Sequence, residues 1–184
     1  MTGRPPSGPG HRVVVMGMMA AGKSRTGRSL ATRLGWDFWD NDDQLVAATG
    51  HDARSLTEHD GVEVTHKLEL KVLQRGLAAR RPSVVCAPGS AVLTAAGRGL
   101  LTPEWVVWLR ARPETLAARV ARDPKPRPLL GGNPLQAIRS LDAERRDGYA
   151  AVSDLILDVD ALDPEQAADR ILGARARLMS GRPR

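Results

Sequence analysis

The first strong hydrophobic pattern is Arg12–Met16 (RVVVM), where four apolar residues stand on consecutive positions. Consecutive rather than alternating apolar residues mark strands buried on both faces. The same pattern recurs at Ser83–Ala87, Trp105–Leu109 and Leu155–Val159, with a weaker run at Asp37–Trp39. Helical spacing fills the intervals: Lys23–Leu34, Gln44–Ala48, Val62–Arg80, Pro113–Arg122, Pro134–Ala151 and Pro164–Leu178. Asp163 reads as an N-cap with Pro164 at the first helical position. Strands alternating with helices predict an α/β domain, a parallel five-stranded sheet between two helical layers. Ligands of such folds bind at the carboxyl ends of the strands.

Three segments fall outside this rhythm. Residues 1–11, rich in Pro, Gly and Ser, read as a flexible tail, and residues 178–184 as a second one. They leave one domain over residues 12–177. Within it, residues 123–134 carry four prolines, two glycines, Lys125 and Arg127. This basic loop is expected to be a lid.

Composition narrows the class. The chain has 184 residues, 42% hydrophobic and 26% charged, enough for one cored domain. Only six residues are aromatic, so the core must be aliphatic and stacking platforms for single-stranded nucleic acid are not expected. Net charge is +6, but the 23 arginines are scattered without a basic block, which argues against a nucleic-acid partner. No apolar run approaches the roughly 18 residues of a membrane span. A single cysteine, Cys86, excludes an intramolecular disulfide and reads as a small core residue. His51, His59 and His66 are too widely spaced to pair on a metal along one helix turn. A cytoplasmic monomer acting on a small molecule is the expectation.

The chemistry begins at Gly17-Met18-Met19-Ala20-Ala21-Gly22-Lys23-Ser24, which fits G-x-x-x-x-G-K-[ST] between a Val-rich strand and a helix. Such a loop aims backbone N–H groups at phosphates, and the helix start adds its positive dipole end. Lys23 supplies charge to the β- and γ-phosphates and Ser24 a hydroxyl for Mg²⁺. Gly17, Ala20, Ala21, Gly22, Lys23, Ser24 and Arg25 are the candidate nucleotide contacts, and the fold expected is that of a P-loop kinase.

Phe38-Trp39-Asp40-Asn41-Asp42-Asp43 follows the second strand. A kinase needs a group to orient or deprotonate the attacking hydroxyl and carboxylates near Mg²⁺. Asp40 and Asp42, two residues apart, are expected to share one face of an extended segment. Helix capping is the competing role for these acids.

With these motifs in order, the chain resembles the shikimate kinase family over about residues 12–176. Further markers are Gly61 with Glu69, Val106-Val107-Trp108-Leu109 with Arg119, Arg127-Pro128-Leu129-Leu130, Arg145 with Tyr149, and Asp158-Val159-Asp160 before Pro164. The resemblance implies ATP and Mg²⁺ as cofactors. It implies Asp42 as the group aligning the accepting hydroxyl, Asp40 as a carboxylate near Mg²⁺, and Arg127 as a lid arginine on the transferring phosphate. It implies Arg119 and the turn to Pro164 as an adenine clamp. His66, Gly89 and Arg145 match acceptor-binding positions.

The departures cluster at the acceptor. Thr65 and His66 stand where the family carries Phe-Arg, and Thr57 where it carries another aromatic. Pro88-Gly89-Ser90 replaces three glycines, and Ala20 replaces a loop glycine. Imidazole cannot copy a guanidinium's two-pronged grip on a carboxylate. The chain is therefore expected to phosphorylate shikimate or a related small polar metabolite through a remodelled pocket. A nucleoside or nucleotide kinase and a non-catalytic nucleotide-binding regulator are the alternatives.

Overall fold

The computed structural model describes residues 11–78, 82–122 and 133–181. Strands β1 (Arg12–Met16), β2 (Asp37–Asp40), β3 (Ser83–Cys86), β4 (Trp105–Arg110) and β5 (Leu155–Asp158) form one parallel sheet in the order β2-β3-β1-β4-β5. The inner strands β1 and β3 are buried at every position, and β4 at all but Arg110. Their runs are unbroken because helices cover both faces. The edge strands depart from that expectation. In β5 half-buried and exposed residues alternate, and β2 is fully buried only at Asp40.

Helices α1 (Lys23–Leu34), α2 (Asn41–Thr49), α3 (Ala53–Asp60), α4 (Val62–Ala78), α5 (Ala95–Leu101), α6 (Pro113–Ala121), α7 (Pro134–Val152) and α8 (Pro164–Met179) connect the strands, with a 3₁₀ turn at Gly89–Val92. Helix α8 begins with the capping box expected at Asp163 and Pro164, and Gln166 completes it. It runs through Met179, so Leu178 and Met179, expected in a tail, are helical, though both are exposed. Helix α2 starts three residues before the expected Gln44 because Asp40 caps it. Helices α3 and α5 have no counterpart in the apolar pattern. Each is short and is held by a polar cap, Asp52 to Ser55 N and Thr94 to Gly97 N. Of the residues expected to form the lid, 123–132 lie outside the described residues, and Asn133 caps α7.

The core is aliphatic, with Trp105, Trp108 and Tyr149 as its large aromatics. Trp39 packs over Gly76 of α4. Among the described residues no helix is long and apolar enough to cross a membrane. One buried ion pair ties the amino end of β1 to the turn before β4. Arg12, 1% exposed, meets Glu104 Oε1 at 2.9 Å and donates to Ser83 Oγ at 3.0 Å and to the Leu77 carbonyl. Removing one partner of a buried pair leaves a charge out of water. Glu104→Ala is therefore expected to cost about 3 kcal/mol in chemical denaturation. A change below about 1 kcal/mol would show that the pair holds nothing together.

Candidate active site

The parallel register decides what can meet. Asp40 of β2 lies beside Cys86, Cys86 beside Val15, and Val15 beside Val107. The chain therefore leaves β2, β3 and β1 at one edge, bringing Asp40, Pro88–Ser90 and Gly17 to the same end of the sheet. That is where the phosphate loop was expected to find its partners.

The loop has the backbone of an anion cradle. Gly17 has φ +145°, and a Cβ there would come within 2.5 Å of the Leu109 carbonyl oxygen. Gly22 has φ +94° and starts α1 without a side-chain cap. The first N–H groups of α1 are thus left for a ligand, and no acidic residue occupies the first turn. Ala20 is left-handed at φ 60°, a conformation that disfavours Cβ. Backbone strain of about 1 kcal/mol is thus held inside the loop. Ala21 is buried, while Ser24 and Arg25 are exposed. Lys23 Nζ turns back over the loop to the Met18 carbonyl at 3.4 Å, a long contact that a phosphate can replace.

On the nucleotide side, Arg119 reaches from α6 to three carbonyls: Ala20 at 3.4 Å, Val159 at 2.5 Å and Asp160 at 3.5 Å. It thereby joins the phosphate loop to the β5–α8 turn that leads to Pro164. A cleft of about 800 Å³ runs from Ser24 and Arg25 along α1 to Pro164, within the usual size for small-molecule sites.

The acidic segment differs from its expected form. Asp40 ends β2, but Asp42 is already in the first turn of α2, so the two do not share an extended face. Instead the buried Asp40 carboxylate accepts the Asp42 backbone N–H at 3.1 Å. Capping and site placement thus coincide. The cap fixes where α2 begins, and that leaves Asp42 exposed.

The acceptor end is built by α4, α7 and the 3₁₀ turn. Glu69 of α4 is buried and accepts the Ser90 hydroxyl. Burial holds its carboxyl above the ordinary range; nearby Asp42 adds to this, while Ser90, Arg145 and Lys23 oppose it. Glu69, bonded to Ser90, and Arg145, beside Gly89, thus sit on either side of the 3₁₀ turn. Tyr149 donates to the Gly89 carbonyl at 3.1 Å, and burial pushes its hydroxyl up to about 12. A Cβ at Gly89 would lie 3.0 Å from both Arg145 Nη1 and the Tyr149 hydroxyl. Arg145 Nε is buried without a hydrogen-bond partner. His66 is half-buried, and burial, then Arg145, lower its basicity against an opposing pull from Glu144. The two threonines at aromatic positions meet: Thr57 Oγ1 donates to Thr65 Oγ1 at 3.1 Å.

Among the candidates, Arg127 lies outside the described residues. Gly17, Ala20, Ala21, Gly22, Lys23, Ser24 and Arg25 form the loop and its helix start, with Asp40 and Asp42 on its acceptor side. Arg119 bridges the loop at Ala20 to the turn that leads to Pro164, and Gly89 and Arg145 lie beside Tyr149, with His66 on α4. Glu69 and Ser90 are the groups the sequence reading left without a role. The three-residue spacing of His66 and Glu69, which puts them on one helix face, was the available signal. Cys86 is buried and approaches the Lys23 carbonyl at 3.3 Å, as a core thiol. A nucleotide's phosphates fit the cradle because α1 begins with no side-chain cap and no acidic residue in its first turn. Ser24 and Asp40 are hard oxygen donors of the kind Mg²⁺ takes.

Comparison with known proteins agrees with this geometry. The shikimate kinase family model matches residues 19–175. A shikimate kinase of Moorella thermoacetica is 35% identical over 160 residues, 86% of this chain and 91% of that protein. The solved shikimate kinase from Acinetobacter baumannii, in complex with shikimate, superposes with a TM-score of 0.84 at 30% identity, covering 94% of this chain and 95% of that one. A deoxyadenosine kinase from M. mycoides, at 14% identity and TM-score 0.63, shares the fold alone. The nucleoside-kinase alternative is thus no better supported, and an ATP- and Mg²⁺-dependent phosphotransferase acting on a hydroxyl group is the enzyme class that results. Sequence and fold together place this chain in the shikimate kinase family.

Proposed function

We propose that the chain transfers the γ-phosphate of ATP to a ring hydroxyl of shikimate. The observation that carries this reading is the register that brings the phosphate loop after β1, the Asp40-capped start of α2 and the Pro88–Ser90 turn to one end of the sheet. ATP supplies the phosphoryl group, and Mg²⁺ neutralises its oxygens. Residues 17–25 hold the phosphates, Arg119 and Pro164 the adenine, and Ser24 and Asp40 the metal ion. Asp42 aligns the accepting hydroxyl and takes its proton. Lys23 neutralises the developing charge, and Arg127 is the second cation proposed for the transferring phosphate. Arg145, with its free Nε, holds the acceptor's carboxylate, and His66 and Gly89 line the same pocket. We place this activity in a monomeric unit over residues 12–177, working in the cytoplasm.

A second reading keeps the reaction and changes the acceptor. The Thr57–Thr65 hydrogen bond makes a polar wall at positions matching aromatics, which favours a related hydroxyl-rich metabolite. A coupled assay with ATP, Mg²⁺ and shikimate, quinate or myo-inositol separates the two. Shikimate turnover at micromolar to millimolar KM supports the first reading. Turnover of another acceptor alone supports the second. In the first case Arg145→Met is expected to raise the shikimate KM by more than about tenfold, because a carboxylate loses its charged partner. An unchanged KM would remove Arg145 from the pocket.

A further inference from the structure

The turn between β5 and α8 is tied to α6 at both ends of that helix. At the entry, Arg112 stands in the N-cap position of α6 with no capping bond from its side chain. Asp160, two residues past the end of β5, reaches this point. Its Oδ1 accepts the Arg112 backbone N–H at 3.0 Å, and its Oδ2 accepts Arg112 Nε at 3.1 Å. In the last turn of α6, Arg119 donates to the Val159 and Asp160 carbonyls and to that of Ala20 in the phosphate loop. Residue 160 thus meets the helix entry with its carboxylate and the arginine near the exit with its carbonyl.

The two bonds of the carboxylate differ in worth. The Arg112 side chain is 74% exposed, and an ion pair in water contributes little. The neighbouring pair, Arg110 with Asp158, is exposed on both sides in the same way. The main-chain bond is different, because the backbone already holds its donor and the ionised acceptor, 26% exposed, strengthens it. It also continues the link between β4 and β5 past the strand end. Strand β5 stops at Asp158; Val159 N–H then donates to the Arg110 carbonyl at 2.8 Å, and the Asp160 carboxylate takes the Arg112 N–H. Further along, Asp163 fixes the start of α8 by its capping box. Asp160 therefore ties the middle of the connection sideways to α6.

We propose that Asp160 is a positioning residue for the nucleoside half of ATP: its carboxylate anchors the β5–α8 turn to α6, so that the Arg119 guanidinium stays in place beside the base. The inference rests on the reading that Arg119 and the turn to Pro164 hold adenine. The phosphate loop builds its cradle from its own backbone and does not depend on this anchor. Loosening the turn costs affinity for the nucleoside and leaves affinity for bare phosphates as it was.

Calorimetry of the full chain with ATP and with inorganic tripolyphosphate, each with Mg²⁺, reads the two halves separately. Asp160→Ala is expected to weaken ATP binding about tenfold, the scale of one hydrogen bond to a charged group, and to leave tripolyphosphate within about twofold of wild type. Asp160→Asn keeps an oxygen for the Arg112 N–H and should recover most of the ATP affinity. Arg112→Ala keeps the N–H itself and should match wild type. Arg119→Met should weaken ATP binding, and adding Asp160→Ala to it should weaken binding no further, because the carboxylate acts through the guanidinium. If Asp160→Ala does not fold, Asp160→Glu carries the same comparison, since it keeps the charge and displaces it by one methylene.

Equal weakening of ATP and tripolyphosphate overturns the proposal, as the mark of a general loss of structure. So does an Asn variant as weak as the Ala variant, or losses that add in the double variant. Weakening by Arg112→Ala equal to that by Asp160→Ala assigns the effect to the exposed ion pair and overturns it too. Weakening by Arg119→Met but not by Asp160→Ala overturns the proposal alone. If neither changes ATP binding, the adenine assignment falls with it, while shikimate turnover would still support the phosphotransfer reading.

Discussion

Lys23→Met is expected to lower kcat by about a thousandfold, with the fold intact. The substitution keeps the stem of the side chain and deletes only the charge. Among the described residues, Lys23 Nζ makes a long hydrogen bond to the Met18 carbonyl at 3.4 Å, so removing it disturbs little of the structure. Its function lies in the transition state, where charge spreads over the phosphoryl oxygens inside a cradle of fixed dipoles. Deleting one such donor typically costs about 10²–10³ in kcat. Steady-state kinetics beside a thermal melt check this. Loss of activity with an unchanged Tm is expected, and near-normal kcat would refute the assignment of the loop. The regulator alternative makes the opposite prediction, since a chain that only binds nucleotide has no transfer to lose.

Asp42→Asn is the second large effect, a fall in kcat of about 10²–10⁴. Here two roles must be separated, because acids at a helix start also cap it. The structure separates them. The cap of α2 is the Asp40 carboxylate accepting the Asp42 backbone N–H, which the Asn variant retains. Asp42 is itself exposed. A structural role would lower Tm, whereas the positioning of a nucleophile would lower kcat with Tm unchanged. A variant with wild-type kcat and a depressed Tm would return Asp42 to the capping role. Asp40→Ala is not a clean substitute, because it takes away the cap and the carboxylate proposed beside Mg²⁺ together.

Much of this architecture was legible without coordinates. The inner strands announced themselves as unbroken apolar runs because both their faces are covered, and a residue on either face must be apolar. The edge strands were blurred for the same reason. Half of β5 meets solvent, so its pattern carries less information. Helices α3 and α5 were invisible. Each has few buried residues and depends on a polar cap, Asp52 or Thr94, that reads equally well as a turn.

The phosphate loop was determined by its sequence alone, since its chemistry depends on backbone angles that local residues set and on a lysine and serine at fixed spacing. Residues such as Asp40, His66, Gly89 and Arg145 could be picked out one at a time, by motif and resemblance. What they do to one another was decided only in three dimensions. Register brings β2, β3 and β1 to one edge, and packing sets α7 near α4 across the turn at Gly89–Val92. Burial then raises Glu69, and burial followed by the Arg145 guanidinium lowers the basicity of His66. A titratable group's charge state belongs to its surroundings rather than its name, because desolvation and nearby charge come from residues far away along the chain. The sequence thus pointed to candidates one at a time, and the tertiary structure set the electrostatics around Glu69 and His66.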